Sequence, residues 1–97
     1  MQDALGIIET QGYATALEAA DAAVKSANVK LGKLVTNVGS GRVSVIIRGD
    51  VAAVKSAVEA GVNSASQIGS VHAQTVIPRP SDKIASVFPL EAATAKK

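Results

Sequence analysis

The run Arg42-Val43-Ser44-Val45-Ile46-Ile47-Arg48 constrains the fold of this chain more than any other segment. Val43, Val45 and Ile47 fall on one face of an extended chain, and Arg42, Ser44 and Arg48 on the other, because strand side chains alternate with a period of two. Gly39-Ser40-Gly41 precedes it as a turn. Gly49-Asp50 follows it, with Asp50 placed to cap a helix that opens at Val51. A turn, an alternating strand and a helix start in one short stretch demand a neighbouring strand for pairing and a second layer to cover the apolar face.

The rest of the chain supplies both. Ala4-Leu5-Gly6-Ile7-Ile8-Glu9-Thr10 is short, apolar and β-branched, and reads as a strand. Gly6 within it predicts a close backbone approach. Gln11-Gly12 breaks it, and Ala14 to Ala27 reads as a helix with Leu17, Ala20, Val24 and Ala27 as its apolar stripe and Glu18, Asp21 and Lys25 beside it. Thr15 with Glu18 fits a capping box. Val29 to Thr36 reads as a second strand, antiparallel to Arg42–Arg48. Val51, Val54, Val58, Val62 and Ala65 keep helical spacing, with Gly61 tolerated for a packing reason and Gly69 placed to end the helix. Val71 to Ile77 is the fourth strand, stopped by Pro78-Arg79-Pro80, and Ser81 caps a helical turn over Asp82 to Ser86. The order β-α-β-β-α-β is the split βαβ, ferredoxin-like pattern: an α+β single domain with a four-stranded antiparallel sheet and two main helices on one face. The domain is expected over residues 1–90, with 91–97 a flexible, Ala- and Lys-rich tail.

Composition narrows the function. Hydrophobic residues make up 47% of 97 residues, much of it Ala and Val, so burial stabilises each residue less than large side chains would. Oligomerisation is one way to make up the difference. The absence of cysteine excludes disulfides, a thiolate nucleophile and a zinc–thiolate site. No basic N-terminal region marks a signal peptide, and no apolar run approaches the roughly 20 residues of a membrane span, so the chain is expected in the cytoplasm, away from membranes. A net charge of +2 with scattered basic residues does not argue for nucleic acid.

No group of residues is built for catalysis. His72 is the only histidine, and no carboxylate pair or second ligand is spaced to join it, so it reads as a polar residue at the start of an edge or surface strand. Neither aromatic residue, Tyr13 or Phe88, lies in a central strand, where stacking on RNA bases would need one. No metal site and no cofactor are expected. Gly39-Ser40-Gly41 lacks the Gly-Lys-Ser/Thr of a phosphate-binding loop; taken alone it is either a hairpin turn needing positive φ or a nest of backbone N–H groups facing a ligand.

Taken together and in order, several segments resemble the hexamer-forming shell proteins of bacterial microcompartments. Ala4 to Thr10 is similar to that family's opening strand, Glu18 to Val29 to its first helix and exit, Gly39 to Val51 to its pore loop, central strand and second helix start, and Val76-Ile77-Pro78-Arg79-Pro80 to its closing strand and turn. The resemblance implies a non-enzymatic protein that forms cyclic homo-hexamers. These tile with other shell proteins into the facets of a polyhedral shell, and a pore on each six-fold axis admits small polar metabolites. It implies pore-lining roles for Asn37, Gly39, Ser40 and Gly41, and hexamer-edge roles for Lys25, Asn28 and Arg79. The Pro78-Arg79-Pro80 turn is most like the catabolic metabolosome type; Gly41-Arg42-Val43 is closer to the carboxysome type. A ferredoxin-like regulatory domain that binds a small ligand at a subunit interface is the alternative of another class. The chain departs from the family pattern in one extra residue between Asn28 and Gly39, in Thr36-Asn37 where a Lys is common, in Ser81 where a His is usual, and in Ala23 where a longer residue is frequent.

Overall fold

The computed structural model describes residues 3–89. Strand β1 (Ala4–Gln11) leads into helix α1 (Tyr13–Ser26), a short strand β2 (Lys30–Leu31), strand β3 (Arg42–Gly49), helix α2 (Val51–Ala65) and strand β4 (Val71–Ile77), followed by a 3₁₀ turn over Asp82–Ser86. The sheet order is β2-β3-β1-β4, and every pairing is antiparallel. This is the expected α+β, ferredoxin-like arrangement. The tail at 91–97 lies outside the described residues.

The β1–β3 register pairs Gly6 with Ile47, Ile8 with Val45 and Thr10 with Val43. These residues share one face, and Ile8, Val43, Val45 and Ile47 join Ala16, Ala19, Ala20, Ala23, Val54, Ala57, Val58 and Ala65 in the core. Two glycines set how closely the layers approach. A Cβ on Gly6 would stand 2.7 Å from Val58 Cγ2 and 2.8 Å from Val54 Cγ1; one on Gly61 would stand 2.8 Å from Ile8 Cδ1 and 2.9 Å from the Ala19 carbonyl oxygen. The close approach expected at Gly6 and the packing reason expected at Gly61 are both present.

That closeness corrects the apolar stripe read on α1. Leu17 and Val24 are 57% and 41% exposed, while Ala16, Ala19, Ala20 and Ala23 are buried. With α2's Gly61 against the Ala19 carbonyl, only methyl groups fit between the helices, so the larger residues turn outward. The same logic buries Ala57 and Gly61 on α2 and leaves Val51 exposed and Val62 half-buried.

Other local expectations also shift. α1 starts two residues before Thr15, on Gly12 at φ 85°, with no side-chain cap, so the capping box does not form; Glu18 instead accepts a 2.6 Å hydrogen bond from Ser64 Oγ on α2. Asp50 occupies the position before α2, but its carbonyl oxygen, not its carboxylate, makes the first bond, from Val54 N–H at 2.8 Å. α2 ends at Ala65. Gly69 is not left-handed; its N–H donates to the Ala65 carbonyl, and a Cβ there would collide with Thr15 Oγ1. Ser81 does cap the 3₁₀ turn, accepting from Lys83 N–H at 3.2 Å.

The strand expected over Val29–Thr36 is largely irregular. Lys30 and Leu31 pair with Arg48 and Ile47, Gly32 N–H reaches the Ile46 carbonyl at 2.8 Å, and pairing resumes only at Val35 opposite Ser44. Between the Leu31–Ile47 and Val35–Ser44 pairs, residues 32, 33 and 34 lie opposite residues 45 and 46, three against two. One extra residue therefore bulges out here. The extra residue expected between Asn28 and Gly39 falls in this same stretch. The bulge lies before the Gly39–Gly41 turn, and Val35 still pairs with Ser44 beyond it.

The second face of the sheet is covered where β1 begins and open along β4, where Ala73 and Thr75 are exposed. Arg48, read as a polar-face residue, is only 8% exposed; its Nε donates to the Ala4 carbonyl at 3.0 Å and Nη2 to the Asp3 carbonyl at 2.9 Å. Leu5 and Ile46, on the same face, are also buried.

The glycine contacts make a stability prediction. Gly61→Ala will lower the unfolding free energy by about 1–3 kcal/mol through overpacking against a backbone carbonyl that cannot yield. An exposed substitution on the same helix, Ser56→Ala, will be near-neutral or stabilising by a few tenths of a kcal/mol. Urea denaturation of the two variants beside the parent checks the sign.

Candidate functional site

The connection into β3 has an unusual backbone. Gly39, Ser40 and Gly41 have φ of 91°, 58° and 74°, three left-handed residues in succession, and Ser40 is the only non-glycine residue with positive φ among those described. Such a conformation costs a side-chain-bearing residue roughly 1–2 kcal/mol and persists only where neighbours enforce it. Three hydrogen bonds do so here: Arg42 N–H to the Gly39 carbonyl at 3.1 Å, Gly12 N–H to the Gly41 carbonyl at 2.8 Å, and Gln11 Nε2 to the Ser40 carbonyl at 2.7 Å. Asn37, Val38, Gly39, Ser40 and Gly41 are all exposed. Gly39 closes the turn over Asn37 and Val38, and among the described residues no backbone carbonyl accepts from the N–H groups of Ser40 or Gly41. The segment is thus a positive-φ turn that also leaves a run of donors available to a solute or to solvent.

Arg42, next to the loop, is exposed, and its Nη1 stands 4.0 Å from Glu9 Oε1. Gln11 and Arg42 pair across β1 and β3, so the loop sits at the end of the sheet where β1 finishes and β3 begins.

The other candidate residues sit elsewhere. Lys25 is in the last turn of α1, exposed, with Nζ 2.8 Å from Asp21 Oδ2 one turn earlier. The hydrogen bond and charge of Asp21 raise the Lys25 pKa above its usual value, so the ammonium is charged at any physiological pH. Asn28 is exposed just beyond that helix, and its backbone adjoins Gly49, the last residue of β3. Gly49 pairs with Ala4, and Leu5 pairs with Ile77 at the end of β4. Arg79 is exposed two residues further on, between Pro78 and the buried Pro80. Asn28 and Arg79 therefore lie at the end of the sheet where β1 begins, with Lys25 in the helical turn that leads there.

The structure thus splits the sequence-derived residues into two groups. Asn37, Gly39, Ser40 and Gly41 gather at one end of β1, and Lys25, Asn28 and Arg79 at the other. From Ala4 to Gln11 β1 spans seven residue steps, about 23 Å at the rise of an extended chain.

Nothing in the arrangement resembles catalytic machinery. His72 is exposed on the edge strand β4, as expected; its Nε2 lies 2.8 Å from Gln11 Oε1, and no group of three His, Cys, Asp or Glu among the described residues could hold a metal ion. Sequence reasoning missed Gln11, which touches both His72 and the loop. Its only signal is its place at the end of β1, and the link becomes visible once Thr10 is known to pair with Val71.

Comparison with known proteins shows the family. The BMC domain model matches residues 4–80. Bacterial microcompartment shell protein PduA of Citrobacter freundii is 52% identical over 88 residues, covering 91% of this chain and 94% of that protein. Bacterial microcompartment shell protein EutM of Escherichia coli is 47% identical over 88 residues, covering 91% and 90%. A carboxysome shell protein of Thermosynechococcus vestitus is 46% identical over 92 residues, covering 93% and 89%. The crystal structure of a microcompartment protein from Desulfitobacterium hafniense superposes with a TM-score of 0.80 at 41% identity, over 89% of this chain and 48% of that one, so the present chain spans about half of that solved protein. A BMC match over most of the chain and near-full-length relatives lead to one assignment: the chain belongs to the bacterial microcompartment (BMC) domain family and is a structural shell protein.

Proposed function

We propose that this shell protein forms a closed six-membered ring, with Asn37, Gly39, Ser40 and Gly41 around the axis and Lys25, Asn28 and Arg79 on the outer rim, and that rings join edge to edge, alone and with other shell proteins, into facets. The observation that carries this reading is the separation of the two groups to opposite ends of one sheet. A tile must turn one end of each subunit to its axis and the other to its neighbours, and cyclic symmetry repeats both ends in every subunit. Identity is higher to PduA and EutM than to the carboxysome protein, which favours the metabolosome type read from Pro78-Arg79-Pro80.

Each end has the chemistry for its task. At the axis, small residues leave an opening, and the N–H groups of the left-handed loop replace water around a polar or anionic solute. The Arg42 charge nearby adds a positive contribution, moderated by Glu9. At the rim, Lys25 carries a long stem and a charge that Asp21 holds on the surface; an exposed pair of this kind exchanges readily for the carbonyls of a neighbouring tile. Pro78 and Pro80 limit the backbone freedom around Arg79, so less entropy is lost when it docks.

Two measurements test the reading. Native mass spectrometry is expected to give six times the 9.8 kDa chain. Lys25→Ala is expected to keep that mass while abolishing extended sheets or tubes in negative-stain micrographs, since a contact repeated around a ring acts through avidity. Dissociation of the ring by Lys25→Ala would move that residue from the rim to the subunit interface. For the pore, Ser40→Leu is expected to leave the ring intact and reduce passage of polar metabolites into assembled shells. Losing one or two solute hydrogen bonds raises the barrier by about 1–2 kcal/mol, roughly a 5- to 30-fold slower flux. Unchanged flux, with intact shells, would remove the loop from the axis.

A further inference from the structure

We propose that Gln11, held in orientation by His72, is the positioning residue that aims the loop's N–H groups, and so sets which solutes the opening favours; the second half of this statement rests on the pore reading above. Gln11 is the last residue of β1 and is exposed, yet both ends of its amide are engaged. Nε2 donates to the Ser40 carbonyl at 2.7 Å, and Oε1 lies 2.8 Å from His72 Nε2. The network permits one assignment. A carbonyl oxygen cannot accept from another carbonyl oxygen, so Nε2 must face Ser40 and Oε1 must face His72. Oε1 only accepts, so His72 Nε2 carries the proton, and the imidazole locks the amide against a flip.

The amide also occupies space that a side chain would take. A Cβ on Gly41 would stand 2.7 Å from Gln11 Nε2, so the Gln11 amide lies directly on the loop. The other two bonds hold the flanks, at Gly39 and Gly41; Gln11 holds the carbonyl of Ser40, the one residue in the turn for which a left-handed φ is costly.

The functional consequence follows from the planar trans peptide. In the Ser40–Gly41 unit the C=O and N–H point in opposite directions. With the carbonyl drawn to Gln11, the Gly41 N–H faces away from the protein. Without Gln11, that plane can turn over and present an acceptor where a donor stood. The structure thus gives Gln11 control over the sign of the dipole offered to a solute at this position. The favoured solute class is one rich in acceptor oxygens, such as a carboxylate or phosphate ester, over a neutral solute of similar size.

The test uses assembled rings and shells of five variants. Gln11→Ala removes the strut, and Gln11→Glu offers the Ser40 carbonyl only acceptors. His72→Leu frees the far end of the amide, whereas His72→Gln restores a donor there. Hydrogen exchange at the amides of Gly12 and Arg42, which donate to the Gly41 and Gly39 carbonyls, is expected to speed up about 5-fold in Gln11→Ala and Gln11→Glu, less in His72→Leu, and not at all in His72→Gln. Ser64→Ala serves as a control far from the loop and should leave loop exchange unchanged. Passage of a small carboxylate into shells is expected to fall about 5-fold in the two Gln11 variants, with passage of a neutral polyol little altered. Parent-like exchange in both Gln11 variants, or identical exchange in His72→Gln and His72→Leu, would overturn the positioning role. Faster exchange with both solutes passing as in the parent would leave the strut standing, and would overturn the pore assignment and the selectivity that rests on it.

Discussion

The fold depends on how closely α1, α2 and β1 approach one another over Gly6 and Gly61. Neither position has room for a Cβ, and at Gly61 the nearest obstacle includes a backbone carbonyl that cannot rotate aside. Close approach lets a core of alanines and valines fill its space at normal density, since dispersion contacts depend on short distances more than on large side chains. It also explains why a chain with one Tyr and one Phe can still hold two layers together.

From that layer pair the placement of the two ends follows. The helices hold β1 and β3 in one register, and that register puts Gln11 beside Arg42 at one end and Ala4 beside Gly49 at the other. Whatever sequence precedes β3 must therefore turn at the first end, and whatever leaves α1 and β4 must emerge at the second. The bulge at residues 32–34 shows how strongly the register is held: an extra residue is pushed out of the ladder rather than passed along to the loop. A residue slip on β3 would have exchanged its buried and exposed faces. A local bulge avoids that.

The loop combines two demands. It reverses the chain into β3, and it leaves the Ser40 and Gly41 N–H groups without a backbone acceptor among the described residues. Three successive left-handed residues satisfy both, with the strain at Ser40 opposed by bonds from Gln11, Gly12 and Arg42. Glycine at both flanks confines that strain to a single residue. At the opposite end no side-chain-bearing residue among those described has a positive φ, and exposed long side chains and prolines line the surface.

Much of this was legible in the chain itself. Alternation in Arg42–Arg48 and helical spacing from Val51 to Ala65 are local properties, so the element order, the turn at Gly39–Gly41 and the close approach at Gly6 could be read without a structure. Periodicity could not say which side of α1 is buried, because Leu17 and Val24 are more apolar than the alanines that displace them; the decision rests with Gly61 on another helix. The second strand reads as continuous because its residues favour strands, but only its partner's register reveals the bulge. Caps at Thr15 and Asp50 match local patterns that tertiary partners override, Ser64 in the case of Glu18. The sequence by itself determined the element order and the family, and nominated the residues at issue. Only the tertiary structure decided that those residues divide between two ends of one sheet, and that Gln11 joins His72 to the loop, because both facts depend on strand pairing between segments dozens of residues apart.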